Sequence, residues 1–168
     1  MSNKLGVIGF GNIAKAIITP LLDKGFLSPD QIYCLVRSKK SYESIKNTYK
    51  HKVNLYQVNN PHSKEVWKCP VKILCVKPQH LKSVNEVSFD NYENSILVSI
   101  LAGVSIQRLE KRFPNHKCVR SVTNIPIKIG KGLTGIAWGQ NLEDYQKAFI
   151  KKIFENSSKI YEFNEEYL

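Results

Sequence analysis

The residues with the clearest chemical signature lie in one glycine-rich turn near the N-terminus. An apolar run, Leu5–Ile8, leads into the turn, and an amphipathic pattern follows it. The spacing is G-x-G-x-x-A: the first glycine permits a tight turn, the second lets backbone approach a pyrophosphate, and the small third residue lets a helix pack on the strand. The positive end of that helix would face the phosphates. This order predicts a dinucleotide site at the turn formed by Gly9, Gly11 and Ala14.

A basic cluster follows the second apolar run, Ile32–Val36. An NAD site usually has Asp or Glu here to hold the ribose hydroxyls. This chain instead has Arg37, Ser38, Lys39 and Lys40, and Glu43 is the first carboxylate after them. A guanidinium fork, a hydroxyl and ammonium groups suit a 2′-phosphate. We therefore predict NADP as the cofactor, with NADPH bound in preference to NADH; a solvated basic loop is the alternative interpretation.

The charge and hydropathy of the chain narrow the classes of partner. The net charge is +11, but the lysines are spread along all 168 residues without a basic 5–8-mer or a nucleic-acid-binding motif, so no nucleic-acid partner is expected. No run approaches the roughly 20 apolar residues of a membrane span, and the N-terminus enters a strand directly rather than a signal peptide. The expected location is the cytoplasm, with no membrane partner.

Neither the cysteines nor the histidines form a recognisable constellation. Four cysteines show no C-x-x-C pair, which argues against a disulfide framework or a zinc site. The four histidines are never at metal-ligand spacing, so no metal is predicted. One of them could be catalytic, but the pattern does not indicate which, and the catalytic residues stay unknown at this point.

Short apolar runs alternate with amphipathic segments along the whole chain. This alternation predicts an α/β fold, a Rossmann-type doubly wound and mostly parallel sheet, in a single domain over residues 1–168. Pro20 predicts a kink or an early end in the first helix, Gly25 its C-terminal cap, and Ser105 the N-cap of a later helix. Strands are predicted at 5–8, 32–36, 53–58, 71–76, 96–101, 117–122, 133–138 and 160–163, and a helix at 142–154.

Several motifs beyond the glycine turn resemble one family. They are Val36-Arg37-Ser38, Cys75-Val76-Lys77-Pro78, the run from Val98 to Ile106, and Arg120-Ser121-Val122-Thr123-Asn124-Ile125-Pro126. With the turn, they make the chain similar to the N-terminal, NADP-binding half of pyrroline-5-carboxylate reductase. The resemblance implies that Arg37 and Ser38 face the 2′-phosphate, that Asn60, or Asn59, approaches the adenosine, and that the pyrophosphate is held by Ile8, Gly9, Phe10, Gly11, Asn12 and Ile13. It also implies that the ribose and nicotinamide are bordered by Val76, Lys77, Pro78, Ala102, Gly103 and Asn124.

The activity implied by the resemblance is hydride transfer from NADPH to the C=N carbon of 1-pyrroline-5-carboxylate, giving L-proline. Two departures bear on it. Ile125 stands where the family usually has Thr, and the chain ends where the family continues into a helical dimerisation domain, so low activity of the chain alone is expected. A non-catalytic, competence-associated NADP-binding relative and a reductase of another substrate stay open. Oligomeric state stays open too, with Phe154 and 161–163 the expected docking face.

Overall fold

One mostly parallel sheet forms the centre of the molecule. The computed structural model describes residues 3–88 and 95–168, and within them eight strands share a sheet in the order β3-β2-β1-β4-β5-β6-β7-β8. The strands are β1 Leu5–Ile8, β2 Ile32–Val36, β3 Asn54–Gln57, β4 Val71–Leu74, β5 Ile96–Ser99, β6 Lys117–Thr123, β7 Gly132–Trp138 and β8 Ser158–Glu162. The helices are α1 Asn12–Asp23, α2 Lys39–Thr48, α3 Lys64–Trp67, α4 Ile106–Arg112 and α5 Asp144–Glu155.

The topology is that of a doubly wound sheet. Strands β1 to β6 all run parallel to one another, β7 is antiparallel to β6, and β8 is parallel to β7. The order reverses at β1, since β2 and β3 lie on one side of it and β4 to β6 on the other. In open α/β sheets a crevice forms at such a reversal, beyond the carboxyl ends of the strands. The predicted Rossmann-type fold is confirmed.

Helices cover both faces of the sheet. Side chains of α1, α2 and α5 pack with β1, β2 and β4 in one buried cluster, which includes Ile17, Ile45 and Ile150. Side chains of α3 and α4 pack in a second cluster on the other face, around Trp67 and Leu109. Apolar residues therefore face both sides of the central strands, which explains their near-continuous hydrophobic runs.

Helix α1 continues through Pro20 to Asp23, so an early end at the proline was a wrong prediction. Ile17, Ile18 and Leu21 are all fully buried. Burial of each such side chain contributes about 1.5–3 kcal/mol, which together outweighs the roughly 3 kcal/mol cost of an interior proline. The helix is terminated by Gly25, which follows the C-cap residue Lys24; its φ of 68° is left-handed and its N–H donates to the Leu22 carbonyl at 3.1 Å. The capping prediction is confirmed.

The C-terminal elements differ from the prediction in two ways. Strand β8 begins at Ser158, two residues before the predicted start. Phe154 is fully buried against the sheet and takes no part in an exposed face, whereas Tyr161 and Phe163 are exposed. An amphipathic helix pattern marks which side chains are apolar, but not that this sheet covers all of them. Across the described residues, no helix combines the length and the hydropathy that crossing a membrane requires.

Candidate functional site

The glycine turn between β1 and α1 requires glycine at Gly9. Its φ is 87°, a left-handed value that side chains with a Cβ rarely adopt. A Cβ built there would lie 2.9 Å from the carbonyl oxygen of Cys75 and 3.0 Å from a methyl group of Val76. The N–H of Gly9 meanwhile donates to the carbonyl of Leu35 at 2.8 Å. The turn therefore crosses tightly between β2 and β4.

Gly11 has a different role in the same turn. It is the N-cap of α1 with extended backbone, and nothing lies within 4 Å of a Cβ built on it. The N–H of Lys15 donates to the Gly11 carbonyl, so the N–H groups of the first helical turn have no partner inside the helix. That turn carries no acidic side chain. Open space, unpaired N–H groups and the helix dipole together form a cradle for an anion.

A cavity of about 530 Å³ opens from this turn at the carboxyl ends of the strands. One wall comes from the ends of β2 and β3 and the other from the segment after β4. Two apolar side chains on opposite walls, Val58 and Val87, are 43% and 36% exposed. The lining residues are Ile8–Gly11, Leu35–Ser38, Ser41, Val58, Asn59, Val76, Lys77, His80, Ser83, Val84, Asn85 and Val87.

The end of this cavity at β2 is basic. Arg37 lines the cavity, is exposed, and takes part in none of the ion pairs formed among the described residues. Ser38 is the N-cap of α2: its Oγ accepts from the N–H of Ser41 at 3.1 Å. The first turn of α2 contains no acidic residue. A second helix N-terminus and an unpaired guanidinium therefore meet here, an arrangement suited to a phosphate dianion.

Half of the predicted cofactor residues line this cavity, and half do not. Those lining it are Ile8, Gly9, Phe10, Gly11, Arg37, Ser38, Val76 and Lys77. The others are Asn12, Ile13, Lys39, Asn60, Pro78, Ala102, Gly103 and Asn124. Asn12 and Ile13 are the first residues of α1, and Lys39 is the first of α2, so their backbone adjoins the cavity.

In the loop after β3, Asn59 rather than Asn60 faces the cavity. The Oδ1 of Asn60 accepts from the N–H of His62 at 2.8 Å and caps the short 3-10 helix Pro61–Ser63. The arrangement thus favours Asn59, the alternative left open by the loop spacing, for contact with a ligand.

The residues predicted for the nicotinamide end lie outside the cavity. Ala102 and Gly103 follow β5, and Asn124 follows β6. The Oδ1 of Asn124 accepts from the N–H of Leu133 at 2.8 Å and so ties β6 to β7. The side chain of Ile125 is outside the described part of the chain. The cavity therefore represents the half of the crevice between the glycine turn and β3, and the roles of these residues stay predictions.

Five lining residues after β4 were missed by the sequence motifs: His80, Ser83, Val84, Asn85 and Val87. Pro78–Ser83 is a 3-10 helix, and irregular backbone follows it. The available signal was position alone, since the segment follows the carboxyl end of a central parallel strand. Its composition, mixed polar and aliphatic, carries no motif.

Three buried titratable groups outside the cavity are held in their neutral forms at pH 7. Burial lowers the pKa of His116 to about 3 and raises the pKa of Cys69 and Cys118 to about 12. All four cysteines are free thiols. Among the described histidines only His80 lines the cavity. No three metal-ligating side chains converge within residues 3–88 and 95–168. The described lining of the cavity thus combines groups that can bind an anion with apolar side chains.

These features define a dinucleotide-type α/β domain, and comparisons with known proteins assign its family. The family model described as "NADP oxidoreductase coenzyme F420-dependent" matches residues 4–103, more than half of the chain, so the chain belongs to that family. The chain is 33% identical over 165 residues to the pyrroline-5-carboxylate reductase of Synechocystis sp., covering 98% of this chain and 60% of that protein. The resemblance to the N-terminal part of these reductases is confirmed.

Solved structures agree on the fold. The pyrroline-5-carboxylate reductase of Coxiella burnetii superimposes with a TM-score of 0.82 at 22% identity, covering 99% of this chain and 60% of that one. The Plasmodium falciparum enzyme, solved with NADP bound, gives a TM-score of 0.76 at 24% identity, covering 98% and 59%. The chain thus spans about 60% of the length of the relatives it matches.

Proposed function

We propose that this chain binds NADPH in the cavity between the glycine turn and β3. The cradle at Gly11 and the N–H groups of α1 suit the pyrophosphate, and the facing apolar side chains Val58 and Val87 suit the flat faces of a purine. The family description and the NADP-bound relative support the same assignment. The residues present therefore fit the cofactor.

The observation that carries the choice of NADPH is the pairing of Arg37 with the N-terminus of α2. Arg37 has no ion-pair partner among the described residues, and the end of β2 carries no carboxylate that would compete for it or repel a phosphate. A charge-assisted hydrogen bond is worth about 1.5–3 kcal/mol, or roughly 10- to 100-fold in affinity. NADH has no 2′-phosphate and would gain none of this.

Calorimetric titration of the chain with NADPH and NADH tests this choice. The unmutated chain should bind NADPH about 10- to 100-fold more tightly. Arg37→Glu should abolish or reverse that preference, because it removes the guanidinium and adds a carboxylate. Lys46→Glu is the matched control: Lys46 lies on the same helix with its ammonium over the Tyr42 ring and outside the cavity, and the change in net charge is identical.

Equal affinity of the unmutated chain for the two cofactors would contradict the proposal. An equal loss of NADPH affinity in both variants would show that net charge, not Arg37, sets the preference. Both titrations should be carried out at the same ionic strength, because salt screens a long-range electrostatic attraction more than it screens a direct contact.

We further propose that the chain is the cofactor-binding part of a reductase acting on the C=N bond of 1-pyrroline-5-carboxylate or a similar cyclic imine. Its similarity to pyrroline-5-carboxylate reductases along 98% of its length supports this. When bound, NADPH supplies the hydride. The protonated imine is already electrophilic, so the reaction needs no strong side-chain acid, and no carboxylate is found among the described residues that line the cavity.

The residues of this chain would bind and orient rather than transfer protons. The α1 N–H groups and Gly11 fix the pyrophosphate, Arg37 and Ser38 fix the 2′-phosphate, and the residues after β5 and β6 border the nicotinamide. Positioning of two reactants can contribute about 7–11 kcal/mol to catalysis. Because the chain covers only about 60% of its relatives, we propose that these 168 residues bind NADPH but reduce the imine slowly. We also propose a cytoplasmic location.

A further inference from the structure

One wall of the cavity consists of backbone without regular structure. Residues 84–88 form neither helix nor strand, yet Val84, Asn85 and Val87 line the cavity. The opposite wall is formed by the ends of β2 and β3, which ladder hydrogen bonds hold in register. The width of the cleft therefore depends on the contacts that hold the irregular wall in place.

Arg112, the last residue of α4, donates hydrogen bonds to this wall but does not itself line the cavity. Its Nη2 donates to the carbonyl oxygen of Val84 and, at 3.4 Å, to the Oδ1 of Asn85. Its guanidinium carbon lies 5.2 Å from the ring centroid of Phe113, which is fully buried. One rigidly based side chain thus contacts two consecutive lining residues. Hydrogen bonds from a charged donor are stronger than neutral ones, so this is a firm attachment.

The second attachment of the segment is weaker. An oxygen of Glu86 lies 3.7 Å from Nδ1 of His116, beyond hydrogen-bond distance. Burial holds the pKa of His116 at about 3, so at neutral pH the imidazole carries no charge to attract the carboxylate. Leu81 and Val84 anchor the start of the segment in the core, but Asn85 and Val87 extend beyond it. Arg112 donates charge-assisted hydrogen bonds to this wall at Val84 and Asn85, and the buried Lys72 ammonium adds a Coulombic attraction to Glu86.

We propose that Arg112 is a positioning residue for the adenosine-binding wall, acting through Val84 and Asn85 without touching the ligand. This rests on the proposed function, which places the pyrophosphate at Gly11 and the 2′-phosphate at Arg37. With those two groups fixed, the purine lies between Val58 and the wall at residues 84–87. Without the hydrogen bonds from Arg112, the ligand itself would have to order that wall when it binds. The entropic cost of this ordering would lower the affinity.

The test is calorimetric titration with 2′,5′-ADP, which carries the adenosine and 2′-phosphate of the cofactor. Arg112→Met keeps an unbranched stem over Phe113 and removes the donors, and it should bind 2′,5′-ADP roughly three- to tenfold more weakly. Arg112→Lys restores one donor and should recover part of the loss. Arg108→Met is the matched control, since Arg108 is an exposed residue of the same helix and does not line the cavity.

The outcomes separate the inference from the proposed function. If the unmutated chain does not bind 2′,5′-ADP, the proposed function fails. If it binds and Arg112→Met binds equally well, the positioning role is overturned. A lower unfolding temperature with unchanged affinity also overturns it, because a merely structural contact would stabilise the fold without shaping the cleft. An equal loss in Arg108→Met overturns it as well. Should Arg112→Met not fold, the same readings apply to Arg112→Lys.

Discussion

Alanine at the two glycines of the turn should give opposite results, and this contrast tests the site most directly. Gly9→Ala introduces a Cβ into a left-handed residue and against the Cys75 carbonyl, 2.9 Å away. Gly11→Ala introduces one into extended backbone with nothing within 4 Å. The first change should therefore destabilise the folded protein, whereas the second should weaken only the binding of a ligand in the cavity.

The magnitudes follow from the two environments. Left-handed strain costs about 1–2 kcal/mol and overpacking about 1–3 kcal/mol, so Gly9→Ala should lower the free energy of unfolding by roughly 2–5 kcal/mol. Gly11→Ala should change it by less than about 1 kcal/mol, because reduced freedom of the unfolded chain offsets the poorer N-cap. Its NADPH affinity should nevertheless fall about 10- to 100-fold, since the pyrophosphate loses its charge-assisted hydrogen bonds.

The assay combines denaturant unfolding with NADPH titration of the folded protein. Gly25→Ala is the matched control, because Gly25 also has a left-handed φ but lies in open space at the far end of α1. It should lose about 1–2 kcal/mol of stability and keep its NADPH affinity. Unchanged NADPH binding in Gly11→Ala would refute the placement of the pyrophosphate. Unchanged stability in Gly9→Ala would refute the reasoning from strain.

Two further predictions concern stability and turnover. Below pH 6.5 His116 becomes protonated in the unfolded chain but not in the folded chain, where its pKa is about 3. The free energy of unfolding should therefore fall by up to about 1.4 kcal/mol for each pH unit as the pH is lowered from 6.5 to 3. Denaturant unfolding against pH should show this slope weakened in His116→Phe and kept in a variant of exposed His62. The purified 168-residue chain should oxidise NADPH with 1-pyrroline-5-carboxylate far below about 10 s⁻¹, a median enzyme rate. Turnover near that rate would contradict the proposed slow reduction.

Most of the fold could be predicted from local pattern, and the differences have tertiary causes. The glycine turn, the Ser105 cap and the alternation of apolar runs with amphipathic segments depend on neighbouring residues, and all agree with the structure. Ser105 Oγ accepts from the N–H of Arg108 at 3.2 Å, as an N-cap should. The continuation of α1 through Pro20 depends instead on burial against the sheet, which no local propensity reports.

In the candidate site, too, some residues could be predicted from local motifs and others could not. The turn and the basic residues after β2 were found because each carries its chemistry in a few consecutive residues. The wall after β4 was not predicted, because it carries no local motif and its contacts are long-range: Val84 and Asn85 accept hydrogen bonds from Arg112, a residue 27 positions further along the chain from Asn85. The choice between Asn59 and Asn60 likewise depended on which amide caps the 3-10 helix at Pro61.

Three segments would therefore contribute to cofactor binding in separable ways. The N–H groups at Gly11 contact a pyrophosphate common to NADPH and NADH, so damage there should weaken both. Arg37 faces a group that only NADPH carries, so its loss should change the ratio of the two affinities. Arg112 shapes the cleft for the purine, so its loss should weaken any ligand that contains adenosine. Because the three segments lie on different elements, their effects should add in double variants, except that Arg37 and the wall would both hold the adenosine 2′-phosphate half of the cofactor and so could couple.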